Sequence, residues 1–202
     1  MHKFIAIVGT NSDQSTNRKL LQFMQKHFAD QAAIELVEIK DLPMFNKPEN
    51  KQVPAAATAI AEKIDQADGV IISTPEYDHS APAVLMNALE WLSFHIHPFV
   101  DKPVMIIGAS YGSLGTSRAQ AHLRQILDSP ELRARIMPSS EFLLGHSLQA
   151  FDEDGNLIDA QKLAKLTGLF TDFQTFVDIT AELNHANDAN RQEVQNVNWD
   201  KL

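Results

Sequence analysis

Short apolar runs alternate along the chain with longer amphipathic segments, and this alternation limits the possible folds more than any other feature. Phe4-Ile5-Ala6-Ile7-Val8 is continuous and rich in β-branched residues, as in a strand covered on both faces, and Gly9 stops it. Residues 17–29 place Leu20, Leu21, Met24 and Phe28 at helical spacing. Residues 34–39 partly alternate, as an edge strand does. An alanine-rich helix is predicted over 54–67, with Pro54 where a helix can begin. A buried strand follows at 69–74, a helix at 82–94, a strand at 104–108 and a helix at 116–127. A less regular fifth strand is predicted within 135–144, then a long helix over 159–183.

Strictly alternating strands and helices imply a parallel sheet covered by helices on both faces, with right-handed crossovers. Five strands suit the order 2-1-3-4-5, so the prediction is an α/β, flavodoxin-like three-layer sandwich rather than a six-stranded dinucleotide fold. The 202 residues suit one domain with an appendage. That domain is predicted over 1–183, with a polar, asparagine-rich tail or arm over 184–202. Trp199 is the residue of that arm that could dock on a partner subunit.

Charge and cysteine usage narrow the function. With 17 Lys+Arg against 26 Asp+Glu, the net charge of −9 repels nucleic acid and anionic membranes. No cysteine is present, so disulfides, thiolate nucleophiles and cysteine-ligated metals are excluded. No apolar run approaches the ~18 residues that span a bilayer, and the start lacks a signal-peptide pattern. A cytoplasmic protein is expected.

In such a sheet, ligands bind beyond the carboxyl ends of the strands, near the point where strand order reverses. Three loops of unusual composition fall there. Gly9-Thr10-Asn11-Ser12-Asp13-Gln14-Ser15-Thr16-Asn17 is dense in hydroxyls and amides before a helix N-terminus, as an anion site requires. It lacks the Walker A lysine and the G-x-G-x-x-G pattern. Asp13 is expected to face solvent. Ser73-Thr74-Pro75-Glu76-Tyr77-Asp78-His79-Ser80-Ala81-Pro82 is stiffened by two prolines and can wall a slot for a flat ring. Gly108-Ala109-Ser110-Tyr111-Gly112-Ser113-Leu114-Gly115-Thr116 has glycines that admit close backbone approach. Together they describe a phosphate cradle beside two walls for a planar heterocycle, the outline of a mononucleotide.

At these residues the chain resembles the NAD(P)H-dependent FMN reductases, flavodoxin-like proteins that include quinone, azo-dye and chromate reductases. The family's Gly-Ser-x-Arg-x-x-Ser-x-Asn appears as Gly9 to Asn17. Its Pro-Glu-Tyr-Asn, Ser-x-Pro and Leu-Lys-Asn-Ala-Leu-Asp-Trp appear as Pro75 to Asp78, Ser80 to Pro82 and Leu85 to Trp91. Its glycine-rich turn into Arg-Ala-Gln appears as Gly112 to Gln120. The resemblance implies that Thr10, Ser15 and Asn17 hold the phosphate of a non-covalent FMN. It implies that Pro75, Glu76, Tyr77 and Asp78 line one side of the isoalloxazine. Ser110, Tyr111, Gly112, Ser113 and Gly115 would meet the pyrimidine edge. It also implies a homodimer or tetramer. Three positions depart from the pattern. Ser12 replaces the loop arginine and removes a charge-assisted bond, Asp78 replaces an asparagine, and Met86 replaces a lysine.

The implied activity passes a hydride from NADPH or NADH through FMN to a small-molecule acceptor such as a quinone, azo compound, flavin or metal oxyanion. The flavin carries the chemistry, so no catalytic side chain is assigned; Tyr77 and Tyr111 shape the acceptor side. No metal site is assigned, because His95 and His97 lack a third ligand and read as a polar loop near the active-site rim. Two other readings stand beside this one. A flavodoxin-type electron carrier usually has a shorter, threonine-rich phosphate loop. A family member acting only as a binding module is the reading that Ser12 supports.

Overall fold

The computed structural model describes residues 1–138, 140–183 and 187–196. Six strands form one sheet: β1 (His2–Val8), β2 (Ala32–Glu38), β3 (Gly69–Ser73), β4 (Pro103–Ala109), β5 (Arg135–Ile136) and β6 (Phe142–Leu144). The order is β2-β1-β3-β4-β5, with β6 also paired to β4, and every ladder is parallel. Val8 is level with Glu38 on one side and Ser73 on the other, so the carboxyl ends of the central strands form one rim.

The helices are α1 (Thr16–His27), α2 (Ala55–Asp65), α3 (Ala83–Trp91), α4 (Ser117–Leu127), α5 (Ala160–Ala181) and α6 (Asn187–Gln195). Alternate residues of β1 enter two separate cores, as the two-residue period of a strand requires. Phe4, Ala6 and Val8 pack with Leu20 and Leu21 of α1 and Phe170 and Phe173 of α5. Ile5 and Ile7 pack with Ile60 of α2, Leu85 of α3 and Leu123 of α4. The three layers and the strand order are those predicted.

Two regions differ from the prediction. The single fifth strand is two short strands, because the ladder is interrupted between Ile136 and Phe142. Arg124 of α4 reaches into the break and donates to the carbonyls of Met137 and Ser140. The polar stretch after residue 183 contains α6, which packs on this chain's own body. Val194 is buried there, Asn190 Nδ2 donates to Asp101 Oδ2 at 2.6 Å, and Arg191 and Glu193 pair with Asp65 and Arg133. Trp199 lies outside the described residues. No helix among the described residues is long and apolar enough to cross a membrane.

Candidate active site

The loops after β1, β3 and β4 meet in a cleft of about 330 Å³, within the ~300–1,000 Å³ of small-molecule sites. Ser12, Gln14, Ser15, Thr16 and Asn17 line one end; Pro75, Glu76 and Tyr77 line one wall; Ala109, Ser110, Tyr111 and Gly112 line the other.

The first loop ends in a capped helix. Ser15 is the N-cap of α1, and its hydroxyl accepts from Arg18 N–H at 3.2 Å. The amides of Thr16 and Asn17 are left without intrahelical partners at the positive end of the helix. The side chain of Asn17, however, is turned into the sheet rim. Its Oδ1 accepts from Ala109 N–H and from the Ser73 hydroxyl, both at 2.9 Å, and its Nδ2 donates to Ala109 O at 2.8 Å. Thr10 is also wholly buried, and its hydroxyl accepts from Ser12 N–H. Both residues therefore shape the loop with their side chains. Asp13 faces solvent, as expected.

The charges around this loop are paired away from the cleft. Arg18 Nε and Nη2 donate to the two oxygens of Glu38 at 2.6 and 2.8 Å. The hydrogen-bonded Glu38 raises the Arg18 pKa above its ordinary value, so the cation is permanent.

The second loop carries a two-residue turn. Tyr77 and Ser80 exchange backbone hydrogen bonds, and Asp78 and His79 between them have φ of 50° and 63°. That is the geometry of a tight hairpin turn built without glycine. Asp78 is exposed at its tip and does not line the cleft. The Ser80 hydroxyl bonds His122 Nδ1 on α4, which anchors the turn. Glu76 reaches α4 as well. Its Oε2 accepts from Arg118 N–H at 3.0 Å and Ala119 N–H at 3.2 Å, while Oε1 pairs with the Arg118 guanidinium. The N-cap of α4, Thr116, has φ of 72° and its side chain makes no capping bond to the helix amides, so Glu76 supplies the missing cap. Glu76, the only carboxylate among the described residues that line the cleft, is thus held against a helix N-terminus.

The third loop folds around the Ser110 hydroxyl, which donates to Gly112 O and accepts from Gly115 N–H. Its glycines answer two different demands. Gly108 is crowded by protein: a Cβ there would overlap Thr116 Oγ1 and lie 2.6 Å from Thr74 O. Gly112 has open space on its Cβ side, in the cleft wall. Tyr77 and Tyr111 are half exposed, at 50% and 58%.

Of the predicted site residues, Ser12, Ser15, Asn17, Pro75, Glu76, Tyr77, Ser110, Tyr111 and Gly112 line the cleft; Thr10, Asp78, Ser113 and Gly115 do not. Gln14, Thr16 and Ala109 join them without having been singled out. His95 and His97 follow α3 at the opposite edge of the sheet, where His97 Nδ1 meets Glu131 O, and not at the rim of the cleft.

The profile described as NADPH-dependent FMN reductase matches residues 2–149. The NADH:(hydroxy)cinnamate reductase subunit CrdA of Vibrio ruber is 61% identical over 180 residues, covering 89% of each chain. NADH-dependent flavin reductase subunit 2 of Lactobacillus johnsonii is 45% identical over 181 residues, 87% of this chain and 97% of that one. Quinone reductase of Escherichia coli is 42% identical over 146 residues, 70% and 77% of the two chains. Among solved structures, the flavoenzyme NAD(P)H:(acceptor) oxidoreductase FerB from Paracoccus denitrificans matches with a TM-score of 0.71 at 27% identity, over 93% of this chain and 99% of that one. The sheet order, the ligand cleft at its carboxyl edge and these matches agree that the chain belongs to the NADPH-dependent FMN reductase family, with flavin-dependent oxidoreduction as its chemistry.

Proposed function

We propose that this chain oxidises NADH or NADPH and delivers the electrons, by way of a non-covalently bound FMN, to a small planar acceptor of the quinone or flavin type. The observation that carries this is the composition of the cleft. One end offers hydroxyls and unpaired helix amides, the two walls each carry a tyrosine, and the one carboxylate among the described lining residues is committed to α4. These residues fit an anionic, planar mononucleotide. Ser12, Ser15 and the amides of Thr16 and Asn17 would hold the phosphate. Pro75 and Tyr77 would flank the ring on one side, and Ser110, Tyr111 and Gly112 on the other.

When bound, FMN supplies two-electron acceptance from nicotinamide and two-electron donation to the acceptor. The chain binds and orients the reactants, and no side chain is needed as a nucleophile. Thr10 Oγ1 lies 3.4 Å from the Tyr77 hydroxyl, a long contact that ties the half-exposed Tyr77 to the first loop at the mouth. The test is to titrate purified protein with FMN, then mix it anaerobically with NADH and NADPH and follow flavin bleaching, then offer a panel of acceptors. Protein that neither carries flavin absorbance nor gains it with added FMN would sink the enzyme reading.

A second reading of the acceptor rests on the relatives from Vibrio ruber and Lactobacillus johnsonii, both named as subunits. In it, the electrons pass to a partner protein. Fast reduction by NADH combined with slow turnover on every small acceptor would favour it. The reductase domain is taken as residues 1–183 with 184–202 appended, in a cytoplasmic homodimer or tetramer; light scattering on the full chain tests the assembly.

A further inference from the structure

The phosphate loop contains no lysine or arginine from Gly9 to Asn17, yet a cation stands directly behind it. Arg18 Nη1 donates to Ser12 O at 2.7 Å and to Asp13 O at 3.1 Å, while its other two nitrogens grip Glu38. Glu38 ends β2, level with Val8, so the grip is fixed to the sheet itself. Four of the five guanidinium N–H groups are thereby occupied. Arg18 does not line the cleft, whereas Ser12 and Gln14 do.

The geometry points to Arg18 as a positioning residue that turns the loop peptides so that their amides receive the FMN phosphate. The Ser12 carbonyl shares a peptide with Asp13 N–H, and the Asp13 carbonyl shares one with Gln14 N–H. No peptide bond here is cis, and across a trans peptide C=O and N–H point in opposite directions. Drawing both carbonyls onto Arg18 therefore sends both N–H groups the other way. Neither has a partner among the described residues. Consecutive amides aimed to one side form a concave anion site without any cationic side chain inside it. This inference rests on the reading above that the phosphate lies in this loop.

The test compares FMN with riboflavin, which lacks the phosphate, by fluorescence titration of the flavin-free full-length protein. Wild type should prefer FMN. Arg18→Gln should weaken FMN at least roughly tenfold, the loss of about one charge-assisted bond, and leave riboflavin unchanged. Riboflavin affinity also reports that the cleft is intact. Glu38→Gln separates positioning from direct charge. If Arg18 positions the loop, loosening its anchor weakens FMN as well. FMN affinity that is unchanged or tighter in Glu38→Gln, or equal weakening of both flavins in Arg18→Gln, overturns the proposal, and Glu38→Gln decides alone if Arg18→Gln does not fold. If wild type does not distinguish FMN from riboflavin, the phosphate seat itself is misplaced and the inference falls with it.

Discussion

Asn17→Ala should cost stability, and its effect on flavin binding should follow from that loss. The Asn17 side chain ties α1 to the carboxyl ends of two neighbouring parallel strands: to Ala109 N–H and C=O on β4, and to the Ser73 hydroxyl on β3. All of these groups are buried. Alanine leaves the N–H and the C=O of Ala109 without their side-chain partner, and each buried group left unpaired costs about 1–3 kcal/mol. The Ser73 hydroxyl can rotate and adds little. The sum for the two groups is about 2–6 kcal/mol, which for a chain of this size lowers the melting temperature by roughly 4–24 °C. Asn17→Asp should be no milder, because it keeps the acceptor but sets a carboxylate oxygen against Ala109 O. The assay is thermal unfolding without flavin, with FMN affinity measured well below the variant's transition. A variant melting within about 2 °C of wild type but unable to bind FMN would show that Asn17 reaches ligand instead of sheet.

Glu76→Gln should lower stability by about 1 kcal/mol, or about 2–4 °C, because it removes an anion from the positive end of α4. Arg118→Ala should cost less, since Arg118 is 46% exposed; the reverse ranking in melting experiments would place the stabilisation in the ion pair. Gly108→Ala should fail to fold, whereas Gly112→Ala should fold normally, by circular dichroism, and lose FMN affinity. Burial holds the His97 imidazole below the usual histidine range, with the Glu131 carbonyl opposing. As pH falls through about 6.5 the unfolded chain takes up this proton first, so stability drops there and is recovered above it. His97→Asn should flatten that part of the unfolding curve, and identical pH profiles would assign the drop to other groups.

The layers, the strand order and the location of the cleft were legible because each follows from periodicity and from where loops fall in a parallel sheet. The roles of single side chains were less so. Asn17 and Thr10 sit among hydroxyls and amides that look alike in sequence, and only their burial separates loop-builders from groups facing a ligand. Glu76 caps a helix 42 positions away, and Arg18 pairs with Glu38 across two elements. Such partnerships depend on register between strands, which sequence spacing does not encode. The break between β5 and β6 is of the same kind. The segment was expected to be less regular, but the arginine that fills the gap comes from α4. The helix after residue 183 was hidden by its polarity, since it is held by ion pairs and one buried valine.

The acidic chain and the anionic cofactor are reconciled by keeping net charge out of the cleft. Glu38 is paired with Arg18, Glu76 lies against α4, and Asp13 points to solvent with Lys40 4.0 Å away. What remains at the end of the cleft proposed for the phosphate is a set of hydroxyls and amides. Dipoles at contact distance are little affected by salt, whereas the attraction of a cationic side chain, or the repulsion of a distant net charge of −9, is screened. Raising ionic strength from about 0.1 M to about 1 M shortens the screening length from ~10 to ~3 Å. FMN affinity should therefore stay constant or tighten across that range, as the chain's own repulsion fades while the amide contacts persist. Riboflavin should show no salt dependence. A steep loss of FMN affinity with salt would mean that a lysine or arginine meets the phosphate directly, and Arg18 would then have to leave Glu38 to do so.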